Sequence, residues 1–168
     1  MTATDFELIF AELQRANVRY LVVGGVAVVL HGHPRFTADL DLVVALDTKN
    51  VRAAMEALGR LDYRPRAPVT AEQFADRETR QLWVKDKGMT VFSLWSPAHP
   101  ATEIDVFAEE PFSFPEALSR AVRADLGDAQ VMVASIPDLI ALKRAAGRPK
   151  DLEDIRALES LLPENVDG

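Results

Sequence analysis

The 168-residue chain contains no cysteine. That excludes a disulfide framework and every thiolate metal site, and it fits a reducing compartment. Long apolar runs are missing too. The longest, Tyr20 to Leu30, is interrupted by Gly24-Gly25 and is too short to span a bilayer. No basic segment leads the chain, where Asp5 and Glu7 stand instead, so no signal peptide is expected. Basic residues are outnumbered, 19 Lys and Arg against 26 Asp and Glu, for a net charge of −7. So acidic a chain is not expected to coat nucleic acid, because phosphate neutralisation supplies most of that affinity. Together these absences predict a soluble, cytoplasmic protein with no membrane partner. No repeat, low-complexity tract or long linker divides it. A single domain over residues 1–168 is expected, with hydrophobic residues at 48% for its core.

The elements alternate. Thr4 and Glu7 have the spacing of a capping box, ahead of an apolar face of Phe6, Ile9, Phe10 and Leu13. A short strand is predicted over Arg19 to Val23, then a short helix over Val26 to His31. Thr37 to Ala45 alternates like a strand, and Val51, Ala54, Met55 and Leu58 mark a helix over 48–58. Gln81 to Lys85 and Met89 to Trp95 read as two strands joined by a turn at Asp86-Lys87-Gly88. A strand over Thr102 to Phe107, a helix from Phe114 to Arg123 and a strand at Val131 to Val133 follow. Ser135 and Asp138 open a helix that Gly147 closes, and Pro149 opens the last one, to about Leu161. The predicted class is α+β, or mixed α/β: a small mixed sheet flanked by helices, with the C-terminal helices from about 135–161 packed on it.

Chemistry gathers around two short motifs. Side chains alternate across a strand, so Thr37, Asp39 and Asp41 should share one face while Leu40 and Leu42 enter the core. Two carboxylates side by side repel, and a divalent cation between them removes the cost. Magnesium takes one or two carboxylates together with substrate phosphates. Gly24-Gly25 ends a strand just before a helix, where backbone amides hold phosphate and glycine lets it come close. A third acid, Asp105, is embedded among Ile104, Val106 and Phe107. Metal binding would explain it, as would an arginine partner at the sheet edge. Lys143 continues the apolar spacing of Ile136, Leu139 and Ile140, so it is either a snorkelling lysine or an ammonium aimed at phosphate. Arg148 and Lys150 could serve the same field. Asp151 and Asp154 could orient a lysine or favour the helix start. His31 reads as a helix-end residue satisfied by backbone.

The stretch GGVAVVLHGHPRFTADLDLVV resembles the nucleotidyltransferase superfamily, and is most similar to its bacterial branch of AbiEii-type abortive-infection toxins. The shared pattern is a Gly-Gly turn, a thirteen-residue spacer from Gly25 to Asp39, an acidic pair on a strand and a later third acid. His31-Gly32, Arg35-x-Thr37 and the run from Asp138 through Asp154 match as well, whereas residues 60–100 match least. The resemblance implies a polymerase beta-like nucleotidyltransferase fold. It implies transfer of a nucleoside monophosphate from a nucleoside triphosphate such as ATP to an acceptor hydroxyl on an RNA end, a protein or a small molecule. Asp39, Asp41 and Asp105 would be the catalytic metal ligands for magnesium, or manganese in its place. Gly24, Gly25, Arg35, Thr37 and Lys143 would bind the nucleotide. A cognate antitoxin or other protein partner is also implied. Two rivals stand beside this reading. One is a non-catalytic module of the same fold that only binds. The other is a glycosyltransferase using Asp-x-Asp, which leaves Gly24-Gly25 and Asp105 unexplained.

Overall fold

The computed structural model describes residues 4–163. Thr4 opens α1 (Asp5–Arg15), its Oγ1 accepting from the Glu7 amide at 3.2 Å. Only that half of the expected box forms, because the Glu7 carboxylate lies against Gly127. Ile9, Phe10 and Leu13 are buried, as their spacing predicts. β1 (Tyr20–Val23) is buried throughout and runs directly into α2 (Gly24–Leu30), so the two glycines begin the helix. β2 spans Leu40–Val44, shorter than the strand expected from Thr37. Asp47 caps α3 (Thr48–Gly59) through the Asn50 amide at 2.9 Å. The buried Asn50 amide group then ties α3 to the backbone of Arg19 and Ala45.

The next segment departs from the sequence reading. After the two-residue β3 (Arg64–Pro65), α4 (Ala71–Ala75) is held by a reciprocal cap between Thr70 and Gln73. Then α5 (Arg77–Lys87) replaces the strand expected over Gln81 to Lys85. Asp76 accepts from the Thr79 amide at 3.0 Å, and Arg80 and Trp83 are buried one turn apart. Cap and helical spacing outweigh the local strand preference of Leu82, Trp83 and Val84. Gly88, with φ of 63°, ends this helix rather than turning a hairpin.

β4 (Val91–Trp95) and β5 (Ile104–Phe107) pair antiparallel. The helix expected to reach Arg123 stops earlier, as α6 (Phe114–Arg120). Val122–Leu126 forms β6 instead, turning at Gly127 into β7 (Ala129–Val133). α7 (Ile136–Ala146) and α8 (Pro149–Leu161) close the described chain with the caps predicted for them, Ser135 and Gly147 on the first and Pro149 opening the second.

Among the described residues, seven strands make one mixed sheet in the order β3-β4-β5-β2-β1-β7-β6. β2 runs antiparallel to β1 and parallel to β5. One sheet face carries Tyr20, Val22, Leu40, Leu42, Ile104 and Val106, all buried, and the Phe10 ring of α1 stacks on Tyr20 there. The other face carries Val23, Asp41 and Asp105, which the register places side by side at the centre of the sheet. No helix among the described residues is long and apolar enough to cross a membrane.

Candidate active site

The register explains how distant residues meet. Val23 lies opposite Asp41, Asp41 beside Asp105, and Asp105 opposite Ser93. Paired residues share a sheet face, so both acids point the same way. The Ser93 hydroxyl donates to Asp105 Oδ1 at 2.6 Å, so the partner of this acid is a serine on β4 rather than an arginine. Glu103, two residues before Asp105, pairs with Arg66.

Glycine is required at the turn for a steric reason. Gly24 has φ of 71°, and a Cβ there would lie 2.1 Å from Asp41 Oδ2. At Gly25 a Cβ would lie 2.9 Å from Thr37 Oγ1. The paired glycines therefore let Asp41 and Thr37 come right up to the start of α2, where no side chain caps the helix. Thr37 and Asp39 precede β2 and reach the same place from its approach loop. Strand alternation is thus not what aligns them with Asp41. Thr37 donates to the Asp39 carbonyl at 3.4 Å, which braces that loop.

Opposite the acids stands a set of cations. Lys143, on the apolar face of α7, is 7% exposed and donates to Asp154 Oδ2 at 2.8 Å, with Asp151 Oδ1 at 3.9 Å. Asp154 also pairs with Arg35. Arg148 Nε donates to Asp151 Oδ2 at 2.9 Å, while the same oxygen accepts from the Arg148 amide at 3.1 Å. Asp151 thus caps α8 and holds an arginine, and Asp154 joins Lys143 to Arg35. Burial alone would raise both carboxyls, but Arg148 and Lys143 hold Asp151 below the usual carboxylate range, and Lys143 and Arg35 do the same for Asp154. His31 sits at the C-terminal end of α2, and its Nε2 donates to the Ala134 carbonyl at 2.8 Å, a structural role.

Gly24, Gly25, Arg35, Thr37, Asp39, Asp41, Asp105 and Lys143 all line one cleft of about 380 Å³, together with Arg148, Lys150, Asp151 and Asp154. Phe36 and Ser93 escaped the sequence reading. Phe36 sits between two residues with stronger polar signals, and Ser93 is placed only by strand register. A larger cleft, of about 1070 Å³, lies past the opposite ends of β2 and β5 beside Arg80 and Glu109. Asp47, Glu109 and Glu110 line it too, but Asp47 is taken up by Arg19 and the Asn50 amide, and no glycine turn lies among them, so volume is a poorer guide here than chemistry.

Asp41 is shifted in the direction opposite to Asp151 and Asp154. It is pushed up to about 6, first by burial and then by Asp105 and Asp39, with Lys143 and Arg148 pulling the other way. No hydrogen bond contributes to that balance. Its carboxylate is crowded by like charge, a condition that a bound cation relieves. Among the described residues no three acidic or histidine side chains converge into a ready-made metal cage. The oxygen-only donors fit magnesium, which takes few protein carboxylates and fills its shell with water and substrate phosphate.

The direction of this shift gives a testable stability difference. The folded protein holds the Asp41 proton more tightly than the unfolded chain does, so ionising it costs stability as pH rises from 3.8 through about 6. Asp41→Asn is expected to exceed the parent in stability by about 3 kcal/mol at pH 8, with the gap closing below pH ~4. Urea unfolding at both pH values measures it. An equal gap at both would rule out the crowded charge as the cause.

The family model described as nucleotidyl transferase AbiEii toxin, type IV TA system, matches residues 9–168. No curated protein matches significantly. Among solved structures, the lincosamide antibiotic adenylyltransferase LnuA with lincomycin bound is similar at TM-score 0.62 and 16% identity, over 96% of this chain and 100% of that one. ANT(2″)-Ia in complex with adenylyl-2″-tobramycin is similar at 0.58 and 16%, over 94% and 87%. A Thermotoga maritima protein described as a nucleotidyltransferase is similar at 0.54 and 12%, over 92% and 90%. At such identities the likeness is one of fold.

Proposed function

Because the chain belongs to the AbiEii nucleotidyltransferase toxin family, we propose that it transfers a nucleoside monophosphate from a nucleoside triphosphate to an acceptor hydroxyl in a magnesium-dependent reaction. The observation that carries this is the single cleft where Asp39, Asp41 and Asp105 face Lys143 and Arg148 across the Gly24-Gly25 turn. Asp39, Asp41 and Asp105 would hold magnesium, or manganese in its place, which supplies charge neutralisation to phosphate oxygens. The backbone at Gly24 and Gly25, the Thr37 hydroxyl, and the Arg35 and Lys143 cations hold the triphosphate. Ser93 fixes the orientation of the Asp105 carboxylate through Oδ1, and that carboxylate would help take the proton of the acceptor hydroxyl beside the metal. The acceptor oxygen bonds to the α-phosphorus, the bond to the bridging oxygen breaks, and pyrophosphate leaves. The protein contributes positioning and electrostatics, as phosphoryl transfers demand.

The toxin description of the family supports membership of a toxin–antitoxin pair with a cognate antitoxin. A cytoplasmic setting, where nucleoside triphosphates are available, is part of the proposal. The acceptor is an RNA end, a protein or a small molecule, the last being the kind of molecule found with LnuA as lincomycin and with ANT(2″)-Ia as adenylyl-2″-tobramycin. Incubation with α-phosphate-labelled triphosphates, magnesium and separate pools of RNA, protein and small metabolites tests the proposal. Label should enter one pool with pyrophosphate release, and a chelator should stop it. Triphosphate binding with neither label transfer nor pyrophosphate in any pool would favour a binding module of the same fold.

A further inference from the structure

The cleft has one feature that phosphate and metal binding do not use. Phe36 is 89% exposed, the most of any large hydrophobic side chain among the described residues, and it stands on the cleft's lip. A single exposed apolar side chain is ordinary. Its setting is not. Arg35 before it is tied to Asp154, and Thr37 after it is braced on the Asp39 carbonyl and pressed against Gly25. The backbone on both sides is therefore held while the ring packs on nothing. The loop cannot readily swing to bury the ring, and the ordering cost of presenting it is already met by its neighbours.

We propose that Phe36 is the platform on which the base of the bound triphosphate stacks. The proposal rests on the nucleotidyltransferase reading and adds a residue that recognises the base. A bare aromatic ring offers a π-face and no hydrogen-bond group, so it grips any base without reading its edge. The chain should therefore accept several triphosphates with similar affinity. The rival place for a base is an apolar recess of about 160 Å³ between Phe107, Leu139, Leu142 and Ala146, beside Lys143. An apolar cavity of roughly 150 Å³ holds a single benzene ring, so the recess is tight for a purine.

Calorimetric titrations with magnesium plus ATP, GTP, UTP or inorganic tripolyphosphate separate these cases, using wild type, Phe36→Ala, Phe36→Trp and Ala146→Phe. Phe36→Ala should weaken ATP about tenfold, the lower range for loss of one base stack, and leave tripolyphosphate unchanged. Phe36→Trp should keep ATP affinity and add a fluorescence signal quenched by ATP and not by tripolyphosphate. Ala146→Phe, which fills the recess from an exposed position, should leave ATP binding intact. Unaltered ATP affinity in Phe36→Ala would overturn the platform, as would equal losses for ATP and tripolyphosphate. Loss of ATP in Ala146→Phe alone would move the base to the recess. In all three cases tripolyphosphate still binds the wild type, so the proposed function survives. If wild type binds neither ATP nor tripolyphosphate, that function fails and the platform with it.

Discussion

Changing Asp39 and Asp41 together to Asn is expected to abolish magnesium-dependent triphosphate binding, by at least about a hundredfold in affinity, while the fold persists. Asparagine keeps the shape of each side chain and removes both negative charges. The cation then keeps Asp105 alone of its three candidate carboxylates and loses two of the three negative charges that hold it against the phosphates. The fold should persist because Asp39 is exposed and Asp41 is a crowded, half-buried charge whose removal relieves repulsion. Titration with triphosphate and an unfolding curve, run on the same preparation, check both halves. Unchanged affinity would remove Asp39 and Asp41 from the site. Lost affinity with a lower unfolding midpoint would mean that the acids support the fold instead.

Lys143→Ala should cost about 3 kcal/mol of stability and weaken triphosphate binding more than monophosphate binding. The first effect follows from what it leaves behind. Asp151 and Asp154 are 1% and 6% exposed, and removing one partner of a buried ion pair strands charge in a poor medium. Arg35 and Arg148 remain, which keeps the loss toward the lower end of the usual range. The pH dependence has a definite sign. Both carboxyls lie below their ordinary value in the folded protein, so their ion pairs contribute above that value and fade as pH falls through the lowered one. The stability gap between wild type and variant should therefore narrow in acid. Adding Asp154→Asn to Lys143→Ala should recover part of the stability and none of the triphosphate preference. That pair of results separates the structural role of the lysine from its phosphate role. Equal losses for triphosphate and monophosphate would count against the latter.

Residues whose chemistry is local were legible in the chain. Gly24-Gly25 and Asp39-x-Asp41 sit in one short stretch, and Asp105 stands out because core residues flank it. Lys143 was visible as a charge at an apolar helix position. The ambiguity about Asp151 and Asp154 dissolves only in three dimensions, where one caps α8 and grips Arg148 while the other bridges Lys143 and Arg35. Ser93 could not be read beforehand, since nothing but the register of β4 against β5 brings it to Asp105. The errors have physical causes as well. Gln81 to Lys85 holds aromatic and β-branched residues that suit a strand, yet the Asp76 cap and the burial of Arg80 and Trp83 select a helix. β6 was hidden because Val122 to Leu126 follows a helical stretch, although Gly127-Asp128 between two alternating runs was an available hairpin signal. Thr37 and Asp39 line one cleft with Asp41, but from an approach loop and not from the strand expected over Thr37 to Ala45, which begins at Leu40.

The proposed reaction requires this cleft to hold a triphosphate together with magnesium. The direct measurement is calorimetric titration of the wild-type protein with each of the four ribonucleoside triphosphates, with and without magnesium. Heat of binding that appears only with magnesium is the predicted result. No binding of any triphosphate under either condition would mean that the cleft is not a triphosphate site.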